Sequence, residues 1–187
     1  MTDRFTPQAT PLAGLTLVER HRIGDDRGFL SRLYCADALA AIGFDAPIAQ
    51  INHTLTRRQG AIRGMHFQHP PHAEDKFVSV LRGAVFDVAI DLRAGSTTFL
   101  QWHGAELSAD NARSLFIPKG FAHGFQTLTE NCELIYLHTA SYRQSAEGAI
   151  NALDPRVGIT WPCEVTEMSP RDRGHAMLDS NFTGIPS

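Results

Sequence analysis

Hydrophobic and polar positions alternate along much of this chain, in short runs broken by turns. The clearest run is AVFDVAIDL, residues 84–92. Phe86, Val88, Ile90 and Leu92 fall on one face, and Asp87, Ala89 and Asp91 on the other, which is the period of two that a strand imposes. The expectation is an apolar side turned to the core, with Asp87 and Asp91 facing solvent. By the same rule CELIYLHTASY, 132–142, sets Leu134, Tyr136, His138 and Tyr142 on one face. CADALAAI at 35–42, closed by Gly43, predicts a short helix, and SPRDRGHAML near the C-terminus predicts one helical turn. Turn signals such as GDDRG, TRRQG, HPPH and PKG recur at short spacing. Short strands between frequent turns predict an all-β sandwich or barrel.

Composition narrows this reading. The 187 residues contain no linker, repeat or low-complexity segment, so 1–187 is expected to form one domain with an N-terminal arm and an irregular, partly helical C-terminal tail. A hydrophobic share of 43% is enough for a sizeable core. The net charge of −3 gives no reason to expect nucleic acid or a membrane surface as partner. No apolar run approaches spanning length, and the N-terminus has no signal pattern. Cys35, Cys132 and Cys163 have neither metal nor redox spacing and fit a reducing compartment, so the expected location is the cytoplasm. One skew stands out: the only lysines are Lys76 and Lys119. In a chain that otherwise uses arginine, either lysine is a candidate for a role that arginine cannot serve.

The stretch AIRGMHFQ, 61–68, reads as a strand yet carries Arg63 and His66. Three apart, the two would point to opposite faces. Gly64 between them permits a bulge that re-aims one side chain. Three further stretches offer polar groups that could converge inside a barrel: QINHT with Gln50 and Asn52, PKGFAHGF with His123, and ELIYLHTASY with Tyr136 and Tyr142. Each has a bland reading alone. A strand histidine is more often structural, and an interior tyrosine needs only a partner for its hydroxyl. The case for chemistry rests on the combination.

PKGFAHGF resembles the second motif of the cupins, P-x-G-x-x-H. Cupins are small β-barrels that usually hold a metal with three histidines and a glutamate. When their first motif, G-x5-H-x-H-x3,4-E-x6-G, is laid on this chain, its first histidine falls on His66. The second then falls on Gln68; when the motif's last glycine is placed on Gly83 instead, its glutamate falls on Lys76. A cationic lysine in place of a carboxylate ligand disfavours a divalent metal. The resemblance therefore implies a cupin-type jelly roll that has exchanged metal for organic acid–base chemistry, with no metal and no cofactor.

The whole chain is similar to the dTDP-4-dehydrorhamnose 3,5-epimerase family over roughly residues 15–178. The phrases that carry the likeness are DDRG, QINHT, GAIRGMHFQ, KFVSVLRGAVFDVAIDLR, IPKGFAHGFQTL, YLHTASY, DPRVGITWP and SPRDR, in order. The resemblance implies that His66 is the base, Asp172 its hydrogen-bonded aspartate, Lys76 the cationic donor, Tyr136 the acid and His123 a second histidine of the site. It implies that Arg63, and Arg27 from a partner subunit, contact phosphate. Gln50 and Asn52 would contact the nucleotide, and Tyr142 would pack on its base. The resemblance also implies a homodimer with an exchanged N-terminal arm, and the DDRG turn, with no obvious local anion, agrees. The chain departs from the family pattern D-x-R-G-x-F-x-E at Leu30 and Arg32. Arg32 only donates hydrogen bonds where a carboxylate only accepts them. A cytidine-linked sugar thus stands as an alternative to a thymidine-linked one.

The implied substrate is a nucleotide-linked 4-keto-6-deoxy sugar, used in deoxysugar and polysaccharide biosynthesis. Removing the proton from C3 or C5, beside the ketone, gives an enolate. A neutral imidazole suits the abstraction, and an aspartate on its other nitrogen fixes the tautomer. A lysine ammonium suits the developing oxyanion; losing a donor of that kind costs about 10²–10³ in turnover. Inversion needs a proton from the opposite face, which a phenol can deliver. Arginine suits diphosphate through its fork. Two readings of other classes remain, a metal-dependent cupin and a non-catalytic relative that binds a sugar nucleotide.

Overall fold

The computed structural model describes residues 4–186. The chain opens with β1 (Phe5–Ala9), β2 (Thr16–Arg20), and the small hairpin β3 (Ile23–Asp25) and β4 (Gly28–Leu30). Helix α1 (Ala36–Ala40) follows, inside the predicted 35–42, and Gly43 just beyond it has φ +93°. The body comprises β5 (Gln50–Thr56), β6 (Ala61–Gln68), β7 (Lys76–Arg82) and β8 (Ala84–Asp91). It continues with β9 (Trp102–Ser108), β10 (Arg113–Ile117), β11 (Phe121–Thr127) and β12 (Cys132–His138). The tail adds β13 (Glu147–Ala149), β14 (Glu167–Met168) and α2 (Pro170–Arg173), the predicted helical turn. Among the described residues, no helix is long and apolar enough to cross a membrane.

Two antiparallel sheets form the all-β jelly roll. The first runs β1-β2-β10-β7-β12-β5 and the second β13-β6-β11-β8-β9, with β14 added parallel to β6. Their facing sides bury Val78, Val80, Leu115 and Leu134 from the first sheet against Val85, Ala89, Phe121 and Phe125 from the second. The outer sides are covered too. Helix α1 and Phe44 close the back of the first sheet over Phe77, Phe116 and Leu137. The C-terminal tail closes the back of the second, laying Ile150, Val157, Met168 and Ile185 over Ile62, Met65, Val88 and Ile90.

That second cover reverses the expectation for β8. Its apolar face of Val88, Ile90 and Leu92 packs outward under the tail, and its other face, with Val85 and Ala89, looks into the barrel. Asp87 and Asp91 are accordingly fully buried rather than solvent-facing. Alternation located the two faces correctly. It could not say which was inside, because a tail distant in sequence supplies the second apolar layer.

Candidate active site

The bulge foreseen at Gly64 is present. On the β6–β11 ladder His66 pairs with His123 and Arg63 with Phe125, so three steps on β6 oppose two on β11. The extra residue lets Arg63 and His66 share the inner side while Ile62, Met65 and Phe67 keep the outer. Glycine is required on both strands. A Cβ on Gly64, at φ +133°, would lie 2.5 Å from the Gly124 Cα, and one on Gly124 would lie 2.6 Å from the Arg63 carbonyl oxygen.

Two cavities meet at this bulge. One, of about 240 Å³, opens between the sheets, and Arg63, His66, Lys76, His123 and Tyr136 are among its walls. The other, of about 780 Å³, runs outside β6 past Arg57, Arg58, Arg171 and Asp172. Arg63 and His66 line both. His66 and His123 come from the second sheet, Lys76 and Tyr136 from the first, so the groups face one another across the inner cavity.

His66 donates from Nε2 to Asp172 Oδ1 at 2.8 Å. The position of Asp172 is fixed by the start of α2, where the Ser169 side chain accepts from the Asp172 backbone N–H at 3.0 Å, and Asp172 itself is buried. Burial works to raise its carboxyl, but hydrogen bonds from His66, the Gly64 backbone and Ser169 prevail and hold it below the usual carboxylate range. The anion then fixes the His66 tautomer, leaving Nδ1 as the nitrogen free to take a proton. Lys76, buried, donates from Nζ to the His66 carbonyl oxygen at 3.1 Å and pairs with Glu74 at 3.2 Å. Burial pushes the Tyr136 phenol above its ordinary range, so it is a protonated acid at neutral pH. His123 stands edge-on to Tyr136, with ring centroids 6.0 Å apart, and gives Nε2 to Asp87 Oδ1 at 2.8 Å.

Other expected site residues are placed less directly. Asn52 lines the inner cavity. Tyr142 reaches its mouth from a loop, because β12 ends at His138 and does not continue the alternation to 142. Gln50 is not part of the cavity wall; its Oε1 accepts from the Tyr142 backbone N–H at 3.1 Å and so holds that loop. Arg27 does have a local anion, contrary to expectation, since its guanidinium forks onto Asp25 with a closest approach of 2.6 Å. It lies on the exposed β3–β4 hairpin. Arg32 is exposed between β4 and α1 and lines neither cavity.

Three residues in the inner site escaped the sequence reading. Alternation puts Asp87 on the solvent side, whereas it is fully buried. Glu74 and His138 form a buried pair, Nδ1 to Oε2 at 3.4 Å, and His138 stacks on Tyr136 with ring centroids 6.1 Å apart. Burial acts to raise the Glu74 carboxyl, and the nearby His138 ring with the Lys76 charge outweighs it, so Glu74 sits below its ordinary range. His138 shares the inner face of β12 with Tyr136, which was the available signal. Glu74 lies in a turn segment with no periodicity to point inward.

Known proteins share this sequence pattern and this fold. The sequence profile of the dTDP-4-dehydrorhamnose 3,5-epimerase family matches residues 9–180. A dTDP-4-dehydrorhamnose 3,5-epimerase of Salmonella typhimurium is 41% identical over 91% of this chain and 93% of its own. One from Pseudomonas aeruginosa is 42% identical over 93% and 98%. A crystal structure of the dTDP-6-deoxy-D-glucose-3,5-epimerase of Legionella pneumophila, in complex with dTDP-4-keto-L-rhamnose, superposes with a TM-score of 0.90 at 36% identity, covering 97% of each chain.

Proposed function

The chain belongs to the dTDP-4-dehydrorhamnose 3,5-epimerase family, and from that premise we propose how its own residues carry the reaction. It is an epimerase of a nucleotide-linked 4-keto-6-deoxy sugar and serves deoxysugar biosynthesis. The observation that carries the assignment of roles is the His66–Asp172 bond at the junction of two cavities, with Lys76 and Tyr136 on the facing wall.

The sugar ring occupies the inner cavity. His66 Nδ1 takes the proton from a carbon beside the C4 ketone, and Asp172 stabilises the imidazolium that forms. The electron pair moves onto the ketone oxygen, where the Lys76 ammonium meets the enolate charge. Tyr136, on the opposite wall, returns a proton to the other face of the carbon and inverts it. His123, held by Asp87, packs against Tyr136 and fixes its position. The reaction moves protons only. A C–H bond is broken and remade without change of oxidation level, so the cycle requires no hydride or electron acceptor.

Arg63 at the cavity mouth receives the diphosphate, with Asn52 and Tyr142 beside the nucleotide. The working unit is a homodimer in which the β3–β4 hairpin crosses to the neighbour. Exposed Phe29 and Leu30 then become buried, and Arg27 leaves Asp25 for the neighbour's phosphate. The enzyme works in the cytoplasm, and its product supplies polysaccharide assembly.

The test incubates the protein with dTDP- and CDP-linked 4-keto-6-deoxyglucose in D2O and reads deuterium beside the ketone. Incorporation at C3, C5 or both, with inverted product, is expected. No exchange with either substrate refutes the reading. Arg32→Glu sharpens it: unchanged relative dTDP and CDP affinities show that Arg32 does not read the base.

A further inference from the structure

A second histidine that the proposed reaction does not use stands beside the Asp172 carboxylate. His175 Nε2 lies 3.8 Å from Asp172 Oδ1, on the same oxygen that His66 approaches at 2.8 Å. The two imidazoles meet edge to face, with ring centroids 6.1 Å apart. The His175 Nε2 atom is buried and has no hydrogen-bond partner. Its backbone is anchored, since Asn151 Nδ2 donates to the carbonyl oxygens of His175 at 2.8 Å and Arg173 at 3.3 Å. A buried ring nitrogen left unpaired beside a carboxylate has lost its water without gaining a partner.

We propose that His66, Asp172 and His175 form an inhibitory site for a borderline divalent cation, Zn²⁺ above all. Their ligand atoms all lie within 4.8 Å of one another. Zinc bonds to imidazole nitrogen at about 2.0–2.1 Å in tetrahedral geometry, which sets ligand atoms about 3.3 Å apart. The separations of 2.8 and 3.8 Å bracket that value. Two neutral imidazoles and one carboxylate suit zinc and leave its fourth position to water. This site lies on the Asp172 side of the His66 ring. The cupin metal position would lie at Gln68 and Lys76 and carries the ammonium of Lys76. The obstacle here is Arg171, whose Nη2 is 3.4 Å from His66 Nε2 and whose Nε is 3.8 Å from Asp172 Oδ1. Its side chain is more than half exposed and already pairs with Glu147 at 3.2 Å, so it can withdraw toward that partner.

The consequence for catalysis follows from proton bookkeeping and rests on His66 being the base. The cation takes the Nε2 lone pair, and the single ring proton moves to Nδ1. No proton is lost, but the nitrogen that abstracts from substrate is now capped. Substrate binding through Arg63 and Asn52 is untouched, so zinc lowers kcat rather than raising KM.

The experiment titrates chelator-treated protein with ZnCl2 by calorimetry and, separately, follows turnover. One zinc per chain is expected, with turnover falling in proportion to occupancy and restored by EDTA. His175→Ala and His175→Gln should each weaken zinc binding about tenfold or more while leaving turnover without zinc unchanged. Arg171→Gln should tighten it. Zinc binding in both His175 variants as tight as in the wild type overturns the proposal, as does the absence of a one-to-one site. Calorimetry needs no turnover, so a failure here is distinct from a failure of the catalytic assignment.

Discussion

His66 on β6 and His123 on β11 are direct neighbours across one ladder, and each gives Nε2 to an aspartate at 2.8 Å. The two hydrogen bonds are the same; the surroundings are not. The His66 side chain keeps 29% of its surface exposed, against 6% for His123, and Asp87 has none. A base that exchanges protons with solvent at each turnover needs the first situation. A group that fixes the wall of a cavity needs the second. The aspartates differ in origin as well. Asp87 comes from β8, already paired with β11 in the sheet, whereas Asp172 arrives from a capped turn in the tail. The pair proposed as catalytic is thus assembled from a segment that can be tuned without disturbing the barrel, and the pair proposed as structural is built into the sheet itself.

Substitutions at the two aspartates sharpen this contrast. Asp172→Asn keeps the shape but removes the anion that fixes the His66 tautomer. Turnover should fall by about 10³–10⁴, as loss of an orienting carboxylate does elsewhere, with a loss of stability smaller than at Asp87, because the His66 side of the pair is part-exposed. Asp87→Asn should do the reverse. It disturbs a buried hydrogen-bonded pair, and such changes cost about 1–3 kcal/mol. Urea denaturation should show that loss, with turnover reduced far less than in Asp172→Asn. If Asp87→Asn is the more damaging to turnover and the less damaging to stability, the contrast is inverted.

A smaller effect is expected at Glu74, on the facing wall. Its carboxyl is depressed in the folded protein, so it contributes stability that is fully present above its unfolded value near 4.5 and is lost as pH falls through the folded value. Stability of the wild type and Glu74→Gln, measured against pH, should differ at neutrality and converge on acidification. A gap that is constant with pH would show that Glu74 contributes no titrating charge there.

Much of this was legible in the chain. The alternation, the turn spacing, both short helices and the bulge at Gly64 were readable, because backbone geometry acts over a few residues. The polar groups of the inner cavity were readable in part, and the positions of the His66–Asp172 pair came only with the family likeness, across 106 residues that no local rule spans. What stayed hidden depended on covering layers. Asp87 looked solvent-facing until the tail was seen to cover the apolar side of β8. Tyr142 looked like a strand residue because period two does not announce where a strand stops. Arg27 seemed to lack an anion because Asp25, two residues away, becomes its partner only once the hairpin turns.

The most direct test of His66 as the base is proton exchange in the two histidine variants. Wild type, His66→Asn and His123→Asn are each incubated with the 4-keto substrate in D2O, and deuterium beside the ketone is followed by NMR. With His66 as the base, His66→Asn incorporates no deuterium, and His123→Asn continues to incorporate it at a reduced rate. Exchange at the wild-type rate in His66→Asn, with exchange abolished in His123→Asn, would contradict that assignment and move the base to the buried pair.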